Sequence, residues 1–212
     1  MPRVVAFLHG FLRTGASMLW LGRTLRAAGY ADTLAPTFGY HLGSLDDHSA
    51  RAAALLRRFA DRHPGADLDL VTHSYGGVLA RAALTQPDAP VVRRLVMLGP
   101  PNQGAQWAQH IRDRVPLHQT GWDPLHQFLP GVPTHRPVPP TEFGILAGGR
   151  GTARGYNPFL DGDNDGTVTV EEARLAGAAD FHVIDVHHSL LPLHREALQQ
   201  VRAFLDDGRF SR

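Results

Sequence analysis

Residues 70–77 read Leu-Val-Thr-His-Ser-Tyr-Gly-Gly, a serine set between an apolar run and two glycines. A hydroxyl held at a sharp strand-to-helix turn stands clear of both elements. It becomes a nucleophile when a base lies beside it. Such a turn needs small residues around the serine, because strand and helix pass close together there. Gly76 and Gly77 meet that need after Ser74. Thr72 stands two before it, where glycine is more usual, and its branched Cβ has to fit against a neighbouring strand. A serine in this place is also a common helix N-cap. The strand pattern before it and the helix pattern after it favour the nucleophile.

Three other stretches carry groups that would complete such chemistry. In "FLHGFLRTG", residues 7–15, a glycine turn follows an apolar strand. Backbone N–H groups at such a turn can stabilise an oxyanion. Phe11 would supply one and Tyr75, directly after the serine, the other. His187 and His188 follow the strand "DFHVIDV" and are rival bases. His9 is expected to shape the glycine turn, and His73 to pack or hydrogen-bond. An acid is needed to orient the base, and Asp165 lies in the connection after the strand "FGILAGG". Asp69, Asp180 and Asp185 are poorer candidates, since they lie within or beside strands.

Asp165 has a second reading. "DGDNDGTVTVEE", residues 161–172, spaces Asp161, Asp163, Asp165, Gly166 and Glu172 as an EF-hand calcium loop does. An EF-hand also needs a helix on each side. Four glycines and Pro158 in "GGRGTARGYNPFL" argue against the first, and after Glu172 a helix has room only to about Gly177. A carboxylate neutralised by an ion would also orient an imidazolium poorly. The missing flanking helices favour Asp165 as the acid, with a structural ion on Asp161 and Asp163 still open.

These residues need a frame that brings them to one rim. Short apolar runs alternate with helical patterns: "VVAFL" (4–8), a helix through "ASMLWLGRTLRAAG", a weaker strand "ADTLAPT", a helix from Leu45 with Ser44 as N-cap, then "DLDLVT" and the helix "YGGVLARAALTQ". "VVRRLVMLG", "FGILAGG" and "DFHVIDV" are further strands, and "LHREALQQVRAFLDDG" closes the chain as a helix. This order predicts an α/β fold, an open, mostly parallel sheet of about six strands with helices on both faces. In such a sheet ligands bind beyond the carboxyl ends of the strands. The chain reads as one domain over 1–212. Its rhythm breaks at 103–141, rich in Pro, His and Gln, which is too long for a plain loop and reads as a lid or pocket wall with a short helix near 104–112. Trp107, Trp122, Phe128 and Leu129 suggest an apolar lining there, or simply pack the segment down.

Composition narrows the classes. The 212 residues carry 21 basic and 20 acidic side chains, a net charge of +1 without a basic block, so nucleic acid and anionic membranes are not expected partners. There is no cysteine, which removes disulfides, thiolate metal sites and a cysteine nucleophile. No apolar stretch reaches membrane-spanning length, and "MPRVVAFLHG" enters a strand without a signal-like apolar region, so a cytoplasmic protein is expected.

"LHGF", "VTHSYGGVLAR", "LGPPNQGA", "NDGTVTVEEARLAG" and "VHHSLL" together resemble a small α/β-hydrolase of the lipase and esterase type. They occur in that family's order and cover most of the chain outside 103–141. The resemblance implies a Ser74, Asp165, His188 triad in the family's chain order, with Phe11 as first oxyanion donor. It prefers His188 over His187 because Ser and Leu follow it, and it sets "PPNQG" at a turn lining the site. The activity implied is cleavage of carboxylic esters, small or lipid-like, through an acyl-enzyme and without a cofactor or metal. An acyltransferase or an amide or thioester hydrolase would use the same residues. A non-catalytic calcium-binding module is the reading from a different class.

Overall fold

The computed structural model describes residues 1–39, 43–115, 119 and 123–212. Six strands form one sheet: β1 (Arg3–Leu8), β2 (Asp32–Leu34), β3 (Asp67–His73), β4 (Arg94–Leu98), β5 (Glu142–Gly148) and β6 (Asp180–Ile184). Their order is β2-β1-β3-β4-β5-β6 and every pairing is parallel. The chain steps one way from β1 to β2 and the other way from β3 onward. The loops leaving β1 and β3 therefore diverge, which opens a crevice at the carboxyl edge between them. Both strands end in register there, Leu8 opposite Thr72.

Helices α1 (Leu19–Ala27), α2 (Leu45–Asp61), α3 (Tyr75–Ala83), α4 (Gln106–Arg114), α5 (Val170–Ala173) and α6 (Arg195–Asp207) connect or flank the strands. Val4, Ala6 and Leu8 of β1 face a core built with α2 and α3, including Leu56, Phe59 and Leu79. Val5 and Phe7 face the opposite core, which takes Leu21 and Leu25 of α1 and Val201 and Phe204 of α6. Both faces are covered, which is why the strands read as unbroken apolar runs. Gly144 lets Phe204 lie directly on β5, since a Cβ there would come within 2.4 Å of its ring. Complete burial of such a ring contributes about 1.5–3 kcal/mol.

The expected N-cap of α2 is present as a reciprocal box: Ser44 Oγ accepts from Asp47 N at 3.1 Å, and Asp47 Oδ2 accepts from Ser44 N at 3.1 Å. Several elements are shorter than the pattern suggests. β2 spans three residues on the sheet edge, and Pro36 shortly after it has no N–H to extend a ladder. The first helix begins as a 3-10 turn at Gly15–Met18, and α3 stops at Ala83. The segment after β4 holds α4, two residues later than expected, and 3-10 turns at His126–Phe128 and Val132–His135. Among the described residues no helix is long and apolar enough to cross a membrane.

Candidate active site

Ser74 lies between the last residue of β3 and the first of α3, with φ 54° and ψ −125°. That backbone costs on the order of 1–3 kcal/mol and persists only where the surroundings hold it. Here Ser74 N donates to Leu98 O at 2.8 Å, and Ser74 O accepts from Gly77 N at 2.9 Å. A Cβ on Gly76 would stand 2.2 Å from the carbonyl oxygen of Leu8, so only glycine lets α3 approach β1 this closely. Thr72 is accommodated where glycine is more usual: it is fully buried, and its hydroxyl points toward Val96 O at 3.4 Å.

His188 opens a 3-10 turn after β6, and its imidazole lies between Ser74 and Asp165. Nε2 is 2.9 Å from Ser74 Oγ, and Nδ1 is 2.6 Å from Asp165 Oδ2. Asp165 is almost fully buried, and its second oxygen accepts from Thr167 N at 3.0 Å and Val168 N at 2.7 Å. A carboxylate only accepts, so this network assigns the imidazole proton to Nδ1 and leaves the Nε2 lone pair for the serine hydroxyl.

The other histidines have different duties. His187 turns away: its Nδ1 accepts from Ser189 N at 3.3 Å, and its ring meets Tyr156 edge-on with centroids 5.5 Å apart. His73 lies under His188, ring centroids 4.8 Å apart, and its Nε2 donates to the His188 carbonyl at 3.0 Å. Burial, with smaller contributions from His188 and Arg13, holds its pKa well below the usual histidine value. His9 fixes the turn after β1: Nε2 accepts from Phe38 N at 2.9 Å, and Nδ1 donates to Gly10 O at 2.8 Å. Burial lowers its pKa as well.

The rival acids are engaged elsewhere. Asp69 takes Tyr30 Oη at 2.7 Å and Arg93 Nη2 at 2.6 Å, Asp180 takes Phe210 N at 2.8 Å, and Asp185 takes Tyr156 Oη at 2.7 Å. The carboxylates spaced like a calcium loop also diverge. Asp163 accepts from Arg150 N at 2.8 Å and Gly151 N at 2.9 Å. Glu172 Oε2 accepts from Thr169 N at 2.8 Å in the capping box of α5, while Oε1 accepts from Gln106 N, at 2.7 Å, where α4 begins. Residues 149–160 contain no helix, and α5 begins before Glu172 rather than after it. Among the described residues no three His, Asp or Glu side chains are gathered as a metal would require.

A cavity of about 580 Å³ opens over Ser74 and His188, walled by Phe11, Leu12, Arg13, Trp107, Gly166, Thr167 and Ser189. Phe11 belongs to the β1 turn, and Leu12 after it has φ 54°. Tyr75 is the first residue of α3, directly after Ser74. Of the aromatic and apolar residues expected to line the site, Trp107 does. Phe128 and Leu129 stand behind the wall: Phe128 is buried and packs on Phe11 and Tyr75, each with centroids 4.8 Å away. Trp122 lies outside the described residues.

Sequence reasoning missed two buried residues that hold the segments around the site. Asn164 is fully buried; its Oδ1 accepts from Asn157 N and Gly166 N, and its Nδ2 donates to three carbonyls, including Gly162 O at 2.9 Å. It folds the loop that presents Asp165, and the turn-forming Asn-Asp-Gly run was its only signal. Arg81, near the end of α3, is fully buried and donates to Pro137 O at 3.0 Å and to Asn102 O and Oδ1 at 3.2 Å, with a further bond to Arg136 O. It ties the segment after β4 to α3, and an arginine in an otherwise apolar helix was the signal.

A family model described as "Alpha/beta hydrolase family" matches residues 5–207. The lipase BlEst2 of Bacillus licheniformis in its propeptide form has the same fold, with TM-score 0.77 and 21% identity over 100% of this chain and 51% of that one. This chain thus spans about half the length of that form; against the mature form the TM-score is 0.72 at 21% identity, over 97% and 91% of the two chains. The metagenomic carboxyl esterase MGS0156 gives 0.65 at 20% identity, over 89% and 65%. At such identities the likeness is one of fold. No curated protein matches the chain.

Proposed function

The chain belongs to the alpha/beta hydrolase family, and from that premise we propose that it cleaves carboxylic esters with Ser74 as nucleophile, His188 as base and Asp165 as the acid that orients it. The single observation that carries the reading is the unbroken hydrogen-bond line Asp165–His188–Ser74, with spacings of 2.6 and 2.9 Å, opening into one cavity. As Ser74 Oγ bonds to the ester carbonyl carbon, its proton passes to His188 Nε2. Asp165 stabilises the imidazolium so formed. The carbonyl oxygen becomes an oxyanion facing the N–H groups of Phe11 and Tyr75. When the C–O bond to the alcohol breaks, the alcohol leaves with the proton from Nε2. Water then repeats the sequence on the acyl-enzyme and frees the acid. The cycle needs no cofactor.

On this reading the whole of 1–212 is one hydrolase domain, and 103–141 forms part of the pocket wall. Trp107 beside Phe11 and Leu12 supports an apolar acyl group in a small or lipid-like ester. The test is labelling with a fluorophosphonate, the modified residue located by mass spectrometry, alongside turnover of a p-nitrophenyl ester. The label belongs on Ser74, and Ser74→Ala is expected to lose about a thousandfold or more in kcat. Turnover by Ser74→Ala at the wild-type rate refutes the proposal.

A further inference from the structure

The described residues of the cavity wall carry one full charge. Among the described residues lining it, Arg13 is the only one that is a Lys, Arg, Asp or Glu, and a guanidinium stays protonated at any physiological pH. Asp165, the nearby acid, does not face the cavity; it is buried and turned to His188, Thr167 and Val168.

Arg13 also differs from the other partly buried arginines. Arg93 meets Asp69 at 2.6 Å, Arg94 meets Glu142 at 2.6 Å, and Arg112 meets Asp123 at 3.0 Å. Buried Arg81 is held by backbone and side-chain oxygens. Arg13 makes one long hydrogen bond, from Nη2 to Ser189 O at 3.4 Å, and among the described residues it has no carboxylate partner. Its backbone is fixed by Arg13 N donating to Gly10 O at 3.2 Å. Ser189 directly follows His188, so the guanidinium lies along the wall next to the imidazole. Most of its five N–H donors remain open to whatever enters.

A planar fork of donors with a fixed charge is matched by a carboxylate or a phosphate, not by an alkyl chain. We infer that Arg13 binds an anionic group carried by the substrate while Ser74 reacts with the ester carbonyl, so that the preferred substrate is an ester bearing a carboxylate or a phosphate. This rests on the ester-hydrolase reading. The anion sits either on the acyl part, as in a half-ester of a dicarboxylic acid, or on the alcohol part, as in an acylated glycerol phosphate.

Two matched pairs separate these sources. One compares the p-nitrophenyl half-ester of glutaric acid with p-nitrophenyl pentanoate. The other compares butyryl glycerol 3-phosphate with butyryl glycerol. In at least one pair wild type is expected to favour the charged member about tenfold in kcat/KM. Arg13→Gln should bring that ratio to about one, and Arg13→Lys should keep part of it. High salt should shrink it in wild type without any mutation. Equal rates in both pairs, or a preference that survives Arg13→Gln, overturn the inference.

Calorimetry with glutarate and with glycerol 3-phosphate reads the anion site without turnover. If no ester is cleaved and no fluorophosphonate reacts, the hydrolase reading fails. Binding of either anion that disappears in Arg13→Gln then still upholds the site, and absence of binding removes it too.

Discussion

Asp165 and His188 are joined twice, once through their side chains at 2.6 Å and once through their backbones, His188 N donating to Asp165 O at 2.8 Å. The second bond fixes where the imidazole starts, so the first need only fix how it turns. Two loops from different strands are thereby held to one register before any substrate arrives.

Asp165→Asn tests the orientation of that proton. Thr167 N and Val168 N need an acceptor, so the amide oxygen should face them and the NH2 should face His188. Nδ1 would then accept, the proton would move to Nε2, and Ser74 would lose its base. A kcat about a thousandfold to ten thousandfold lower is expected, with an unchanged circular dichroism spectrum.

His187 and His188 are neighbours with separate fates. His188→Ala should lose on the order of a thousandfold in kcat or more, whereas His187→Ala should stay within about tenfold of wild type. Steady-state kinetics on one ester decides it. Similar losses in both variants contradict the assignment.

Glu172 caps two helices at once, α5 through Thr169 N and α4 through Gln106 N. Glu172→Ala should therefore destabilise the fold by about 1–3 kcal/mol, near the sum of two lost caps. Urea unfolding measures it. Millimolar calcium should leave the midpoint of wild type unchanged, because these carboxylates are already committed to backbone donors.

His73 gives stability a sign with pH. Its pKa is lowered in the fold, so below about 6.5 the unfolded chain binds a proton that the folded one does not. Stability is then full above that pH and falls as pH drops, by up to about 1.4 kcal/mol per unit for this group. His73→Gln should flatten part of the decline between pH 6.5 and 5 in urea titrations. An identical slope in the variant counts against this origin.

Arg81 pins the segment after β4 to α3. Burial lowers its pKa to about 10, so it stays charged near neutrality. Arg81→Gln leaves several carbonyls without a donor, a loss of about 2–4 kcal/mol. Limited proteolysis should then cut faster within residues 103–141, and KM should rise more than kcat falls.

Local pattern carried much of the architecture. Unbroken apolar runs read as strands covered on both faces, and Ser44 marked the start of α2. Gly76 was required by close approach and proved to abut the Leu8 carbonyl. The pattern overreached at the edge and at helix ends, where β2 and α3 stop early, because terminal residues have fewer partners to hold them.

The sequence by itself determined which side chains were candidates for the chemistry and the order in which strands would deliver them. Spacing of types, strand then serine then glycines, is a local property, and the chain writes it directly. Only the tertiary structure set His188 rather than His187 beside Ser74, sent Asp163 and Glu172 to separate backbone donors, and left Arg13 without a carboxylate partner among the described residues. Those outcomes depend on distances between residues far apart in the chain, and an imidazole one position along a turn faces a different way.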